Sequence, residues 1–171
     1  MIGGGDTGSD CVGTAIRQGA KSVTQIEILP KPPDKRIDDN PWPYWGKILK
    51  TSSSHEEGCE RRWSLATTRF IGKQRRVTNI EINEVEWIEN GFARPEMKIM
   101  EGKSEVLDAD LVLVAMGFVH PVHEGLLNEL GLDYTDRKNI KISSDYQTNQ
   151  QKVFAAGDSV LGASLVVRAI Y

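Results

Sequence analysis

Gly3, Gly5 and Gly8 open the chain at the G-x-G-x-x-G spacing of a dinucleotide-binding turn, and no other stretch restricts the fold as much. In such a turn the first glycine permits the tight bend. The second lets a pyrophosphate approach the backbone, and the third lets the helix pack closely on its strand. The helix that follows offers unbonded N–H groups and a partial positive charge to phosphate. Here a helical segment does follow, with Cys11, Val12, Ala15 and Ile16 on one face and Gly19 at its C-terminal cap. Residues 23–28 then alternate in polarity as a strand. Glu27 stands about two dozen residues beyond Gly3, where an acidic residue would take adenosine ribose hydroxyls. The alternative is a β-α-β unit with no ligand. The strand ahead of the turn is reduced to Met1 and Ile2, which reads as too short to pair. The chain is therefore expected to be cut just upstream of its own motif.

The length of 171 residues suits one domain, or one plus part of another. A net charge of −3 gives no reason to expect nucleic acid or an anionic membrane as partner. Cys11 and Cys59 are too few for an iron–sulfur cluster or a structural zinc site, and no other metal set is expected. Two free thiols in a cytoplasmic protein are the simpler reading, with a disulfide between them left open. The N-terminus lacks the apolar core of a signal peptide, and the longest apolar run, residues 111–116, is far too short to span a bilayer.

Residues 29–50 break the regular pattern. Pro30, Pro32 and Pro33 force an extended path, and Pro41 and Pro43 sit among Trp42, Tyr44 and Trp45. This stretch is either a flap over a cofactor, a docking surface, or a long loop pinned by Trp42 and Trp45. Ser53 with Glu56, and Ser54 with Glu57, fit the S-x-x-E capping box of a helix running to about Arg62. His55 in its first turn could lie near a phosphate or a hydride path, but a solvated or capping role is preferred.

From Trp63 the period changes to that of strands. Residues 65–71 and 77–88 read as two, with Ile80, Ile82 and Val85 as core. Residues 96–100 and 105–107 read as a further short pair around Gly102. Together they make an antiparallel meander inserted after the β-α-β unit. Arg61, Arg62, Arg69, Arg75 and Arg76 could reach a 2′-phosphate or an acidic partner, although a solvated face suits most of them better. Residues 111–116 form a continuous apolar run, expected of a parallel strand buried on both faces, ending at Gly117 where backbone could approach a ligand. A short helix over residues 124–133 stops at Gly131, and short strands are expected at 140–142 and 153–158. Another helix begins at Ser164. Its abrupt end at Tyr171 again suggests truncation. Tyr134 and Lys138 have Y-x-x-x-K spacing but follow a helix stop, so they do not form a dehydrogenase pair. His120 and His123 flank Pro121, with no carboxylate pattern to support a metal.

With both ends read, the chain resembles the family of glutamate synthase small (beta) subunits, within the adrenodoxin-reductase-like flavoproteins that bind two dinucleotides. Residues 3–11 look like that family's second dinucleotide motif, the one for the nicotinamide nucleotide. Residues 27–33 and 40–43 look like its insertion, and Ala115-Met116-Gly117-Phe118 like its crossover to the flavin domain. Residues 153–158 and 162–170 look like its closing FAD motif. The resemblance spans nearly the whole chain.

The resemblance implies an α/β fold: a Rossmann-like parallel sheet with the meander inserted, truncated at both ends. Residues 1–118 would be an NAD(P)H-binding domain with a Pro/Trp-rich insertion at 29–62, and 119–171 a partial segment of the FAD domain. Gly3, Gly5, Asp6, Thr7 and Gly8 would hold the nucleotide pyrophosphate, Glu27 the ribose, and Gly117 would flank the nicotinamide end. Gly157 and Asp158 would lie at the flavin ribityl or pyrophosphate, and Ser164 and Leu165 would point N–H groups at the flavin ring. No catalytic side chain is implied. Hydride would pass from NAD(P)H to FAD, and electrons through iron–sulfur clusters to the large subunit, where glutamine and 2-oxoglutarate yield glutamate. The cluster cysteines and the flavin domain's own glycine motif belong to upstream regions, so the fragment alone is expected to be inactive and without stoichiometric FAD. Glu27 suits two ribose hydroxyls and repels a 2′-phosphate, which favours NADH unless Arg61, Arg62 or Arg69 reverses it. The rival readings are another flavoprotein reductase, of ferredoxin reductase or dihydropyrimidine dehydrogenase type, and a nucleotide-binding or docking module without redox chemistry.

Overall fold

In a computed structural model of the chain, which describes residues 1–38, 40–44, 46–91, 95–164, 166 and 170, Ile2 pairs in parallel with Ile26 on one side and Val114 on the other. This corrects the expectation that Met1 and Ile2 are too short to pair. Ile2 N–H donates to the Leu113 carbonyl at 2.9 Å and Gly3 N–H to the Ile26 carbonyl at 2.8 Å. Ile26 and Ala115 donate back to Met1 and Ile2 at 2.9 and 2.7 Å. Two residues carry these bonds because each extended residue presents its N–H to one neighbour and its C=O to the same or the other.

Around this centre the parallel strands line up. β1 (Thr24–Ile26) pairs with β2 (Glu60–Arg62) in parallel, so the lateral order runs β2, β1, Ile2, Val114. The connection from Ile2 to β1 is α1 (Asp6–Arg17). It ends in a Schellman arrangement: Ala20 N–H bonds the Ala15 carbonyl and Gly19 N–H the Ile16 carbonyl, at 3.0 and 2.9 Å. Gly19 takes the left-handed conformation that this cap needs, at φ +86°.

The expected helix to Arg62 is shorter. α2 is Ser53–Glu56, capped by Ser52, and Glu60–Arg62 is strand β2. The N-cap lies one residue earlier because the capping-box partner is His55, whose ring accepts the Ser52 N–H. The loop ahead of α2 is not pinned by Trp42, which is 82% exposed, while Trp45 lies outside the described residues. It is held instead by polar groups. Asn40, which is buried, accepts from Lys47 N–H at 2.7 Å, and Arg36 donates to the Asn40 and Tyr44 carbonyls.

The meander is β3 (Leu65–Lys73), β4 (Arg76–Ile88) and β5 (Glu96–Asp108), antiparallel in that order. Gln74 and Arg75, both at positive φ, turn β3 into β4. β5 is one strand rather than two short ones. Asn83 pairs with Ser104 and Val85 with Ile99, so a bulge in the β5 backbone absorbs the turn-like Gly102. Ile80, Ile82 and Leu65 meet Ile26 in the buried core, which ties the meander to the parallel sheet. Arg62 on β2 forks onto Glu105 of β5 at 3.1 and 2.6 Å across the same junction. Residues 111–116 do not behave as a strand buried on both faces. Val114 makes one bridge and is 57% exposed, and Leu111 and Met116 are exposed too. Among the described residues of their unit, only the Ile2 side supplies a paired neighbour.

The chain divides into two compact units, Met1–Met116 and Gly117–Tyr171. In the second, α3 (Leu126–Glu129) ends at Gly131, and the expected strands are isolated bridges, Tyr134 with Ile140 and Gln147 with Phe154. A four-residue helix, α4 (Asp158–Leu161), follows Gly157 where none was expected. Tyr134 and Lys138 share no helix; Tyr134 stacks on the His123 ring at 3.9 Å instead. Leu165 and most of the helix expected from Ser164 lie outside the described residues.

Candidate functional site

The glycine turn is built by close approach. Gly3 sits at φ +117°, and a Cβ on it would strike the Ala115 carbonyl. A Cβ on Gly8 would strike the Gly3 carbonyl, so the first turn of α1 lies directly against the strand. A Cβ on Gly4 would run into the Glu27 carboxylate. Gly5 differs: it caps α1 in ordinary extended geometry, and a Cβ there would meet nothing within 4 Å. Among the described residues, no packing requires a glycine at this position. The position it leaves open is the N-cap of α1.

That space faces donors. The first helical bond of α1 runs from Ser9 N–H to the Gly5 carbonyl at 3.0 Å, and no side chain caps the helix. The N–H groups of Asp6, Thr7 and Gly8 therefore precede the internal ladder, at the positive end of a 12-residue helix.

Glu27 follows β1 and turns back over the glycine loop. Its Oε2 accepts the Gly4 N–H at 2.5 Å and its Oε1 the Leu29 N–H at 3.1 Å. A carboxylate has about four lone-pair positions, so acceptor capacity remains after these two bonds. Glu27 lines a cleft of about 330 Å³ together with Gly4, Gly5, Gln25, Leu29 and Arg61. Pro30, Pro32, Ile48 and Leu49 form an apolar wall from the Pro/Trp insertion.

The cleft also carries cations. Lys50, Arg61 and Arg62 all line the cleft. Arg62 is neutralised by its fork on Glu105, which holds the guanidinium pKa above and the Glu105 pKa below their ordinary values. Arg69 pairs with Glu81 at 2.8 Å, outside the cleft. Arg61 lies over the Trp63 ring at 5.2 Å, with Lys31 at 5.5 Å from the same ring.

Of the expected Gly3, Gly5, Asp6, Thr7, Gly8 and Glu27, Gly5 and Glu27 line this cleft, while Gly3 and Gly8 pack against each other and Asp6 and Thr7 open α1. Gly117, Gly157, Asp158 and Ser164 belong to the second unit. Gly117 has φ +82° with open space at its Cβ position. Gly157 precedes α4, and Asp158 Oδ1 accepts both the N–H and the hydroxyl of Ser164 at 3.3 Å. The reading passed over Gln25, Ser9 and Ser52. Gln25 is only 2% exposed, and its amide donates to the Gly3 carbonyl at 3.0 Å. A glutamine between Thr24 and Ile26 looks like the solvent face of an alternating strand, which hid its role.

Residues 1–171 match the model of a family described as pyridine nucleotide-disulphide oxidoreductase. A glutamate synthase [NADPH] small chain of Mycobacterium tuberculosis (strain ATCC 25618 / H37Rv) is 46% identical over 170 residues, covering 99% of this chain and 34% of that protein. Glutamate synthase [NADH] of Schizosaccharomyces pombe is 38% identical over 178 residues, covering 99% of this chain and 8% of that protein. The chain thus spans about a third of the bacterial relative's length. Among solved structures, T. acidophilum thioredoxin reductase matches 99% of this chain and 46% of its own, with a TM-score of 0.63 at 21% identity, a likeness of fold.

Proposed function

We propose a function from one premise: this chain belongs to the pyridine nucleotide-disulphide oxidoreductase family. Its Met1–Met116 unit is an NAD(P)H-binding part of a glutamate synthase small chain. Residues 29–62 form its insertion, and the residues from 119 onward belong to an FAD domain. The observation that carries this is Gly5, a glycine that the protein's own packing does not require, placed before the free N–H groups of α1. The N–H groups of Asp6, Thr7 and Gly8 hold the pyrophosphate, and Gly5 leaves it room. Glu27 accepts from the adenosine ribose, and the wall from Leu29 to Pro32 with Ile48 and Leu49 screens that end from water.

When bound, NAD(P)H would supply the hydride for an FAD, and iron–sulfur clusters the route onward to a large subunit that makes glutamate from glutamine and 2-oxoglutarate. Gly117 is assigned to contact with the nicotinamide, and Gly157, Asp158, Ser164 and Leu165 to contact with the flavin, as the family resemblance implies. Glu27 tilts the site to NADH, because a carboxylate facing the ribose repels a 2′-phosphate. Arg61, one of the cations lining the cleft, opposes this tilt, whereas Arg62 and Arg69 are matched by carboxylates.

Gly5→Ala tests the site. It should leave the fold intact and weaken NADH and NADPH together by more than tenfold, about 1.4 kcal/mol. Binding at the wild-type level would remove the pyrophosphate from this turn.

A further inference from the structure

Two side chains brace the glycine turn, and both lead to His55. Gln25 holds the Gly3 carbonyl at 3.0 Å, and its Oε1 faces His55 Nε2 at 2.9 Å. Ser52 shares a short hydrogen bond with Ser9 in the first turn of α1, and its Oγ lies 3.1 Å from His55 Nδ1. The two braces meet the turn at opposite ends, Gly3 and Ser9.

The donors and acceptors fit one protonation state. Ser52 N–H donates to Nδ1 at 3.2 Å, so Nδ1 carries no proton. The neutral ring then has its proton on Nε2, which donates to Gln25 Oε1. The Gln25 amide is left with its N–H₂ toward the Gly3 carbonyl, completing a donor-to-acceptor chain. A second proton would have to go on Nδ1, against the Ser52 N–H. The Ser52 N–H would lose its acceptor and the new N–H would turn to Ser52 Oγ, 3.1 Å away, drawing that hydroxyl from the His55 N–H it caps and from Ser9.

We infer that His55 is a positioning residue for the nucleotide turn: its neutral imidazole, acting through Gln25 and Ser52, holds Gly3 and Ser9 in place, and protonating it weakens nucleotide binding. The inference rests on the reading of this turn as a dinucleotide site. Burial and the positive charge of Arg61 both push His55 below the ordinary histidine value, in line with a ring kept neutral. Arg61 is the charged group that faces it from β2, while α1 and β1 present the neutral Ser9 and Gln25. On its own segment, Glu57 is taken up by Arg17, and Glu56 is exposed.

The sign of the pH effect separates this role from direct phosphate contact. A histidine touching the pyrophosphate would bind more tightly when charged. A histidine bracing the turn binds less tightly. The test is NAD⁺ affinity of the whole chain from about pH 8 to about pH 5.5, a range in which histidine titrates and the pyrophosphate does not. The wild type should weaken on acidification, by up to about tenfold per pH unit below the His55 value. His55→Gln should show no such slope, and Gln25→Leu should bind more weakly at every pH while keeping the part of the slope that runs through Ser52. Tighter binding in acid, or the same slope in His55→Gln, overturns the inference.

Nitrogen-15 spectra of the imidazole and amides provide a readout that needs no nucleotide. The neutral ring should be protonated at Nε2, and the backbone amides of Gly3 and Ser9 and the Gln25 side-chain amide should shift with its titration. In His55→Gln that shared shift should vanish. If NAD⁺ does not bind at about pH 8, the nucleotide reading fails, and the spectra still decide the brace: resonances that ignore the ring's titration overturn it.

Discussion

A methyl group on Gly8 would strike the Gly3 carbonyl, whereas one on Gly5 would meet open space. The two glycines therefore serve different ends, and stability separates them. Gly8→Ala should cost about 1–3 kcal/mol in denaturant unfolding, the range for overpacking a tight contact. Gly5→Ala should cost under about 1 kcal/mol, the weakening of a helix cap, while losing nucleotide. Glu27→Ala should weaken NADH roughly tenfold and relieve the repulsion of NADPH, read by titration; unchanged affinity for both would remove Glu27 from the ribose. His55 also predicts a stability effect. Its folded value lies below the usual 6.5, so the unfolded chain takes the proton first. Its stabilising contribution is whole above that value and is lost as pH falls through it toward the folded value. The melting temperature should drop over this window, and less so in His55→Gln. Gly3, Gly5, Gly8 and Glu27 were legible because spacing alone carries their meaning. Gln25, Ser9 and Ser52 were not, since their roles depend on contacts between segments distant in the chain.

Elements with local signals were the legible ones. α1 showed its apolar face and its glycine stop, and β4 its alternation, with Ile80, Ile82 and Val85 all buried. β2 was hidden because Glu60, Arg61 and Arg62 carry no apolar pattern. Its pairing comes from β1 beside it, a non-local cause that periodicity does not register. The start of α2 was displaced because a histidine, not a glutamate, completes its capping box. Ser52→Ala should cost about 1 kcal/mol in denaturant unfolding, as for other N-cap losses. It should also weaken nucleotide binding, because the same hydroxyl reaches Ser9. An affinity unchanged despite the lost stability would confine Ser52 to capping.

At the scale of the molecule, the parallel strands on either side of Ile2 place the glycine turn, Glu27 and the basic residues of β2 at one end of the sheet. Ligands of open α/β sheets gather at such an end, where strands finish and helices begin. The meander joins the core through Ile80 and Ile82. Its Glu105 takes Arg62 out of competition for a phosphate and leaves Arg61 beside the cleft. A sequence reading reached the class of both sheets from periodicity and turn chemistry. It did not reach the exposure of Leu111, Val114 and Met116, because a continuous apolar run looks the same whether or not an element covers it. The central claim is that this sheet end binds a pyridine nucleotide. Calorimetric titration of the chain with NADH and NADPH at matched salt tests it most directly. The account predicts saturable binding of one nucleotide per chain, with NADH the tighter; a chain that binds neither, while its unfolding remains cooperative, would contradict it.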